Sequence, residues 1–171
     1  MKKIPLTGAG KGRFALVDDR DYPLVRGIKW HMKVNGRSEY ARYNFWNKEE
    51  KRYGRITMHR LILRLTDPKV GVDHINGDGL DNRRENLRIC SQAQNSYNRR
   101  RDHDAKNIYR GVRKSDQKWR ADIGHNGRPE YIGVFETPEL AAKAWDKKAI
   151  EYRGEFARLN FPNLVNPLPP L

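Results

Sequence analysis

The sequence predicts an α+β protein built as two small parts rather than one large globule. Three observations lead there. Hydrophobic residues make up 37% and charged residues 33% of the 171-residue chain, too little apolar surface for a single large core. Its alternating apolar runs are short and end in turn formers, as strands do, and helical periodicity is confined to brief stretches. A polar run from Arg99 to Asn107 divides residues 1–98 from residues 108–162, and 163–171 form a proline-rich tail.

In the first part, Phe14-Ala15-Leu16-Val17 reads as a strand running into the turn formers Asp18-Asp19. Tyr40-Ala41-Arg42-Tyr43 and Arg55-Ile56-Thr57-Met58 are two further strand candidates. Trp30, Tyr43, Phe45 and Trp46 supply a small core, as packing groups rather than base-stacking ones. Val70 to Ile75 is a short strand carrying Asp73-His74. Asn76-Gly77-Asp78-Gly79 follows as a loop of residues that tolerate left-handed backbone. Asn86 to Cys90 forms the partner strand. Ser91 then opens a helix, with Gln94 three residues on completing a capping box. On that helix Asn95, Asn98 and Arg99 share one face, which can look back at the Asp73-His74 strand.

The segment 99–107 reads as a basic linker, lying along a nucleic acid or simply solvated, and His103 between Asp102 and Asp104 belongs to its polarity. Beyond it, Tyr109–Arg113, Lys118–Gly124 and Glu130–Phe135 read as three strands, the last two joined through Asn126-Gly127. A helix begins with Thr137 as N-cap, Pro138 in its first position and Glu139 in its first turn, and stops near Gly154. Its apolar stripe is Ala141, Trp145, Ala149 and Tyr152. Alternation turns Trp119, Ala121 and Ile123 toward that helix and leaves Arg120 and Asp122 on the outer face.

The formal net charge of +14 calls for a polyanionic partner, since such an excess repels itself unless phosphate offsets it. The chain has no long apolar run, signal-peptide pattern or basic amphipathic helix, so nucleic acid is favoured over a membrane surface. Cys90 is the only cysteine, which excludes an internal disulfide and a cysteine-rich structural zinc site. After Leu87 and Ile89 it reads as a buried core thiol of a protein in a reducing compartment.

One segment carries chemistry. Met58-His59-Arg60, Val72-Asp73-His74-Ile75-Asn76-Gly77-Asp78, Asn82-Arg83-Arg84-Glu85-Asn86-Leu87-Arg88 and Asn95-Ser96-Tyr97-Asn98 bring a carboxylate, imidazoles and carboxamides together among arginines. Asp73 and Asn95 offer hard oxygen ligands, and an imidazole such as His74 accepts a proton from water near neutral pH. Arg83, Arg84, Arg88 and Arg99 are candidate phosphate clamps.

This arrangement resembles the HNH homing-endonuclease family, in the variant where Asn replaces the last His of the motif. The resemblance implies a ββα-metal nuclease module preceded by short strands. In it His74 is the general base, Asn86 orients the imidazole, Asp73 and Asn95 bind metal, and His59 is a supporting residue. One divalent ion is implied, Mg²⁺ with Mn²⁺ as a substitute, and no structural zinc. Asn as the last ligand favours an oxygen-preferring ion and weak affinity in the absence of DNA.

The second part resembles an AP2 DNA-binding domain. Tyr109-Arg110-Gly111-Val112-Arg113, Lys118-Trp119-Arg120-Ala121, Ile132-Gly133-Val134-Phe135-Glu136-Thr137, Glu139-Leu140-Ala141-Ala142-Lys143-Ala144-Trp145-Asp146 and Gly154-Glu155-Phe156-Ala157-Arg158-Leu159-Asn160-Phe161-Pro162 carry the likeness. It implies a three-stranded antiparallel sheet in the major groove, contacting DNA through Arg110, Arg113, Arg120 and Asp122. Tyr131 stands where that family often has Trp. The segment after Arg113 is shorter than the plant pattern and lacks an arginine and a Trp, so no base preference follows.

The two resemblances together imply a site-directed, metal-dependent DNA endonuclease of phage or bacterial type, acting in the cytoplasm on double-stranded DNA. No small-molecule cofactor and no membrane are expected. A nicking monomer is the simplest arrangement, with a dimer as the alternative. A competing reading keeps an AP2-type DNA binder with an inactive nuclease site. An RNA-directed nuclease or RNA-binding protein is disfavoured, because side chains cannot read the narrow A-form major groove.

Overall fold

The computed structural model describes residues 1–36, 38–98 and 109–162. The linker and tail expected at 99–107 and 163–171 lie outside them, and Arg99 with the linker. The chain forms two compact units, Met1–Ser96 and Tyr97–Leu171.

In the first unit β1 (Lys2–Pro5) pairs antiparallel with β2 (Phe14–Val17), and a single turn, α1 (Tyr22–Val25), follows. A meander of β3 (His31–Asn35), β4 (Ser38–Asn47) and β5 (Arg52–Thr57) comes next, with β4 in the middle. Short α2 (Met58–Ile62) leads to a second hairpin, β6 (Gly71–His74) with β7 (Leu87–Cys90), and then to α3 (Gln92–Asn98). Ile4, Ala15, Val17, Val25, Trp30, Ala41, Met58, Ile62, Leu80 and Leu87 make the core. The buried indole of Trp30 donates to the Val25 carbonyl at 2.9 Å, so it brings no unsatisfied N–H into the interior.

Two sequence expectations change here. Phe45 and Trp46 are exposed on β4 and stay out of the core, which takes Trp30 fully and Tyr43 in part. Trp46 points to the side away from Tyr43, and Phe45, stacked on Tyr43 with ring centres 6.1 Å apart, sits further along the strand where the core no longer covers it. Met58 closes no strand. It opens α2 and is itself buried, because β5 ends at Thr57.

In the second unit β8 (Val112–Ser115), β9 (Lys118–His125) and β10 (Arg128–Phe135) form an antiparallel meander with β9 central. Asn126 and Gly127 both have positive φ, 48° and 76°, the pairing a tight two-residue hairpin turn requires. Helix α4 (Pro138–Arg153) is capped by the Thr137 side chain, which accepts from the Leu140 N–H at 3.3 Å. Ala141, Ala142, Trp145 and Ala149 bury against Val112, Ala121 and Ile123. At Gly111, φ is +73° and any Cβ would strike the Trp145 ring and the Asp122 carbonyl. Only glycine lets the Trp145 indole donate to that carbonyl, at 3.0 Å.

Candidate active site and exposed sheet face

Asp73 and His74 end β6 and are both about 5% exposed. The loop between β6 and β7 is stitched by its own side chains. Asn76 Oδ1 accepts from Asp78 N–H at 2.8 Å, Asp78 Oδ1 from Leu80 N–H at 2.9 Å, and Asn76 Nδ2 donates to Asp81 Oδ2 at 2.9 Å. Main-chain bonds dock the loop on β2. Leu16 N–H donates to the Leu80 carbonyl and Asn82 N–H to the Leu16 carbonyl, each at 2.8 Å.

Asn86, expected to orient the imidazole, does so only through the loop. Its Oδ1 accepts from Asn76 N–H at 2.9 Å and its Nδ2 donates to the Asp81 carbonyl at 2.8 Å. It ties the two ends of the loop together just after His74. The carboxamide facing the ring is that of Asn82, fully buried, whose Nδ2 donates to the Leu80 carbonyl at 3.0 Å. Its Oδ1 has no partner at strict hydrogen-bond geometry, yet it lies near enough to favour the protonated His74. Burial outweighs that help and the nearby carboxylates of Asp73, Asp78 and Asp81, and holds the His74 pKa below the ordinary 6.5.

His59, on α2, packs edge-on to His74 with ring centres 5.1 Å apart, and its Nε2 is 2.9 Å from Thr57 Oγ. Burial, then the neighbouring His74 and Arg60, push its pKa down to about 3. Tyr40 on β4 completes a three-ring cluster, 5.7 Å from His59 and 5.8 Å from His74. Tyr40 lies outside the expected motif, and Asn82 stands in it without an expected role. A signal for Tyr40 lies in Gly79, where a Cβ would meet the Glu39 carbonyl and the Tyr40 ring, so the loop needs glycine to lie against β4.

The expected phosphate clamps of this unit are engaged within it. Arg84 donates to both oxygens of buried Asp21 at 2.8 Å and to the Ile62 carbonyl at 2.8 Å, while its N–H reaches Asp18 at 2.9 Å. Arg84 thereby staples the fold, with its guanidinium held on a buried carboxylate. Arg83 grips Asp81 at 2.7 and 2.8 Å and Glu85 at 2.7 Å. Arg88 places Nε and Nη2 on Asp73 Oδ2 at 2.9 and 2.6 Å. Asn95 is exposed on α3, whose start carries the expected capping box: Ser91 N–H to Gln94 Oε1 at 2.8 Å and Gln94 N–H to Ser91 Oγ at 3.2 Å. Among the described residues no three His, Cys, Asp or Glu side chains form a metal cluster. Oxygens of Asn95, the main chain or a substrate would therefore complete any metal shell at Asp73.

In the second unit, register sets Arg113 opposite Arg120 and Asp122 opposite Tyr131, all on the sheet face away from α4. Asp122 relieves the repulsion of the facing arginines, accepting from Arg120 Nη2 at 2.7 Å and lying 3.1 Å from Arg113. Arg120 stacks 4.8 Å from the exposed Tyr131 ring. Arg110 is placed differently from the other three. It is partly buried, its guanidinium 6.0 Å from the Trp145 ring, so it props the helix.

A family model described as HNH endonuclease matches residues 58–97. An uncharacterized HNH endonuclease of Acanthamoeba polyphaga mimivirus is 34% identical over 162 residues, covering 91% of this chain and 79% of the viral protein. The chain belongs to the HNH endonuclease family. Part of it is also similar to plant AP2-type proteins. The ethylene-responsive transcription factor ERF024 of Arabidopsis thaliana is 46% identical over 66 residues, 36% of each chain. The AP2-like ethylene-responsive transcription factor ANT of the same plant is 45% identical over 58 residues, 32% of this chain but 10% of that protein. No helix among the described residues is long and apolar enough to cross a membrane.

Proposed function

We propose that the protein is a metal-dependent endonuclease of double-stranded DNA, cutting with residues 1–98 and brought to its site by the sheet of residues 108–162. The observation that carries this reading is His74, kept neutral by burial at the end of β6 in a segment that matches the HNH model.

His74 takes the proton of the attacking water, and its low pKa leaves it ready to do so at neutral pH. Asn86 and Asn82 fix the loop and the ring, and Tyr40 and neutral His59 wall it. Asp73 and Asn95 would hold the ion in a ββα-metal arrangement; a carboxylate and a carboxamide fit Mg²⁺ or Mn²⁺. When bound, a divalent ion stabilises the charge that grows on the phosphate. Arg113, Arg120 and Tyr131 contact DNA from the exposed sheet face, with Asp122 setting the two arginines.

One observation favours the alternative of a DNA binder with a retired site: Arg88 already neutralises Asp73. Cleavage of supercoiled plasmid with and without Mg²⁺ separates the two. Metal-dependent nicking or linearisation that is lost in His74→Ala supports the nuclease. Tight binding with no cleavage under either condition supports the binder.

A further inference from the structure

Arg88 and Asp73 stand directly opposite each other on β7 and β6, so their pairing follows from strand register and not from a chance rotamer. Both side chains are nearly buried, 12% and 6% exposed. A carboxylate this buried needs a counter-charge, and Arg88 supplies one positive charge where the reading above puts a divalent ion.

We infer that Arg88 is an exchangeable counter-ion: it holds Asp73 in the metal-free protein and yields the carboxylate to the divalent ion. The freed guanidinium then serves the phosphate. This inference rests on Asp73 being a metal ligand. A divalent ion and a guanidinium on one carboxylate oxygen repel strongly, so an ion that takes Oδ2 displaces the Nε and Nη2 grip there. Arg88 thereby lowers metal affinity in the absence of DNA, and DNA phosphate raises it by drawing Arg88 away. Metal and DNA then reinforce each other's binding, by the same factor in both directions.

The test is Mn²⁺ binding to the full-length protein without DNA, by calorimetry and by the paramagnetic signal of free Mn²⁺, beside thermal melting. Arg88→Gln should bind Mn²⁺ about tenfold or more tightly than wild type, since its competitor is gone. It should melt lower without metal and recover more on adding Mn²⁺ than wild type does. Arg88→Lys keeps one charge but loses the two-nitrogen grip, and should fall between; it serves if Arg88→Gln does not fold. Equal or weaker binding by both variants, while Asp73→Asn still abolishes binding, overturns the exchange and leaves Asp73 a ligand. Binding that survives Asp73→Asn in every background, or binding absent from every protein, overturns the exchange and also removes support for Asp73 as the ligand.

Discussion

Three arginines of the first unit and two of the second do opposite work. In Met1–Ser96, Arg83, Arg84 and Arg88 each lie on a carboxylate whose side chain is at most 6% exposed. In Tyr97–Leu171, Arg113 and Arg120 share the single carboxylate of Asp122 and remain 59% and 38% exposed. One residue type thus becomes a staple or an exposed, half-compensated cation according to how many buried acids face it. An excess of cations over acids on one face marks a phosphate-binding surface better than the number of arginines does.

The largest effect that would sharpen this contrast is in the second unit. Gly111→Ala forces a Cβ into Trp145 at positive φ, and should cost that unit about 3 kcal/mol or more. Its melting transition should collapse, with DNA affinity lost, while the first unit keeps its own transition.

Next, Arg84→Gln leaves Asp21 buried without its partner and should destabilise the first unit by about 2–3 kcal/mol, the low side of a broken buried pair because Arg84 is one third exposed. Arg113→Gln should change stability by less than about 1 kcal/mol, as an exposed pair does, and lower the slope of log affinity against log salt by about 0.9. If Arg84→Gln also lowers that slope and leaves melting unchanged, the contrast between the units fails.

Acid separates the units more gently. Hydrogen bonds from Arg83 hold the Asp81 carboxyl below its ordinary 3.8. Its stabilising share is therefore complete above 3.8 and is lost as pH falls through the lower folded value. Burial pushes Asp146 on α4 the other way, above 3.8, so its share of stability grows as pH falls through its folded value toward 3.8. Melting curves from pH 5 to pH 3 should show Asp81→Asn flattening the acid loss of the first unit. Asp146→Asn should remove an acid gain in the second.

The smallest effect concerns the ring cluster. Tyr40→Phe should keep cleavage within about threefold of wild type, whereas Tyr40→Ala opens a gap beside both imidazoles and should lower kcat more than DNA affinity. Single-turnover cleavage with bound DNA measures the difference.

Much of this was legible in the residues. The capping box at Ser91 and Gln94, the Asn126-Gly127 turn and the Thr137-Pro138 helix start are local chemistry, and each formed where the residues put it. The expected strands formed with ends shifted by a few residues, because ladder partners, which no single strand reveals, set where pairing stops. The pairing of Arg84 with Asp21, across 63 positions, was illegible for the same reason. So were Tyr40 and Asn82 beside His74: one comes from another sheet, and the other reads as an ordinary loop former. The exposure of Trp46 depended on which face of the meander was covered and that of Phe45 on how far along β4 the core extends, and alternation alone leaves both open.

The loop that follows His74 borrows two main-chain bonds from Leu16 and a carboxylate from Asp18, all well before the family segment at 58–97 begins. What can be inherited as a working unit is therefore longer than what a motif search outlines. A recombination that moved only the segment from Met58 onward would carry the chemistry but leave behind the strand that holds it in shape.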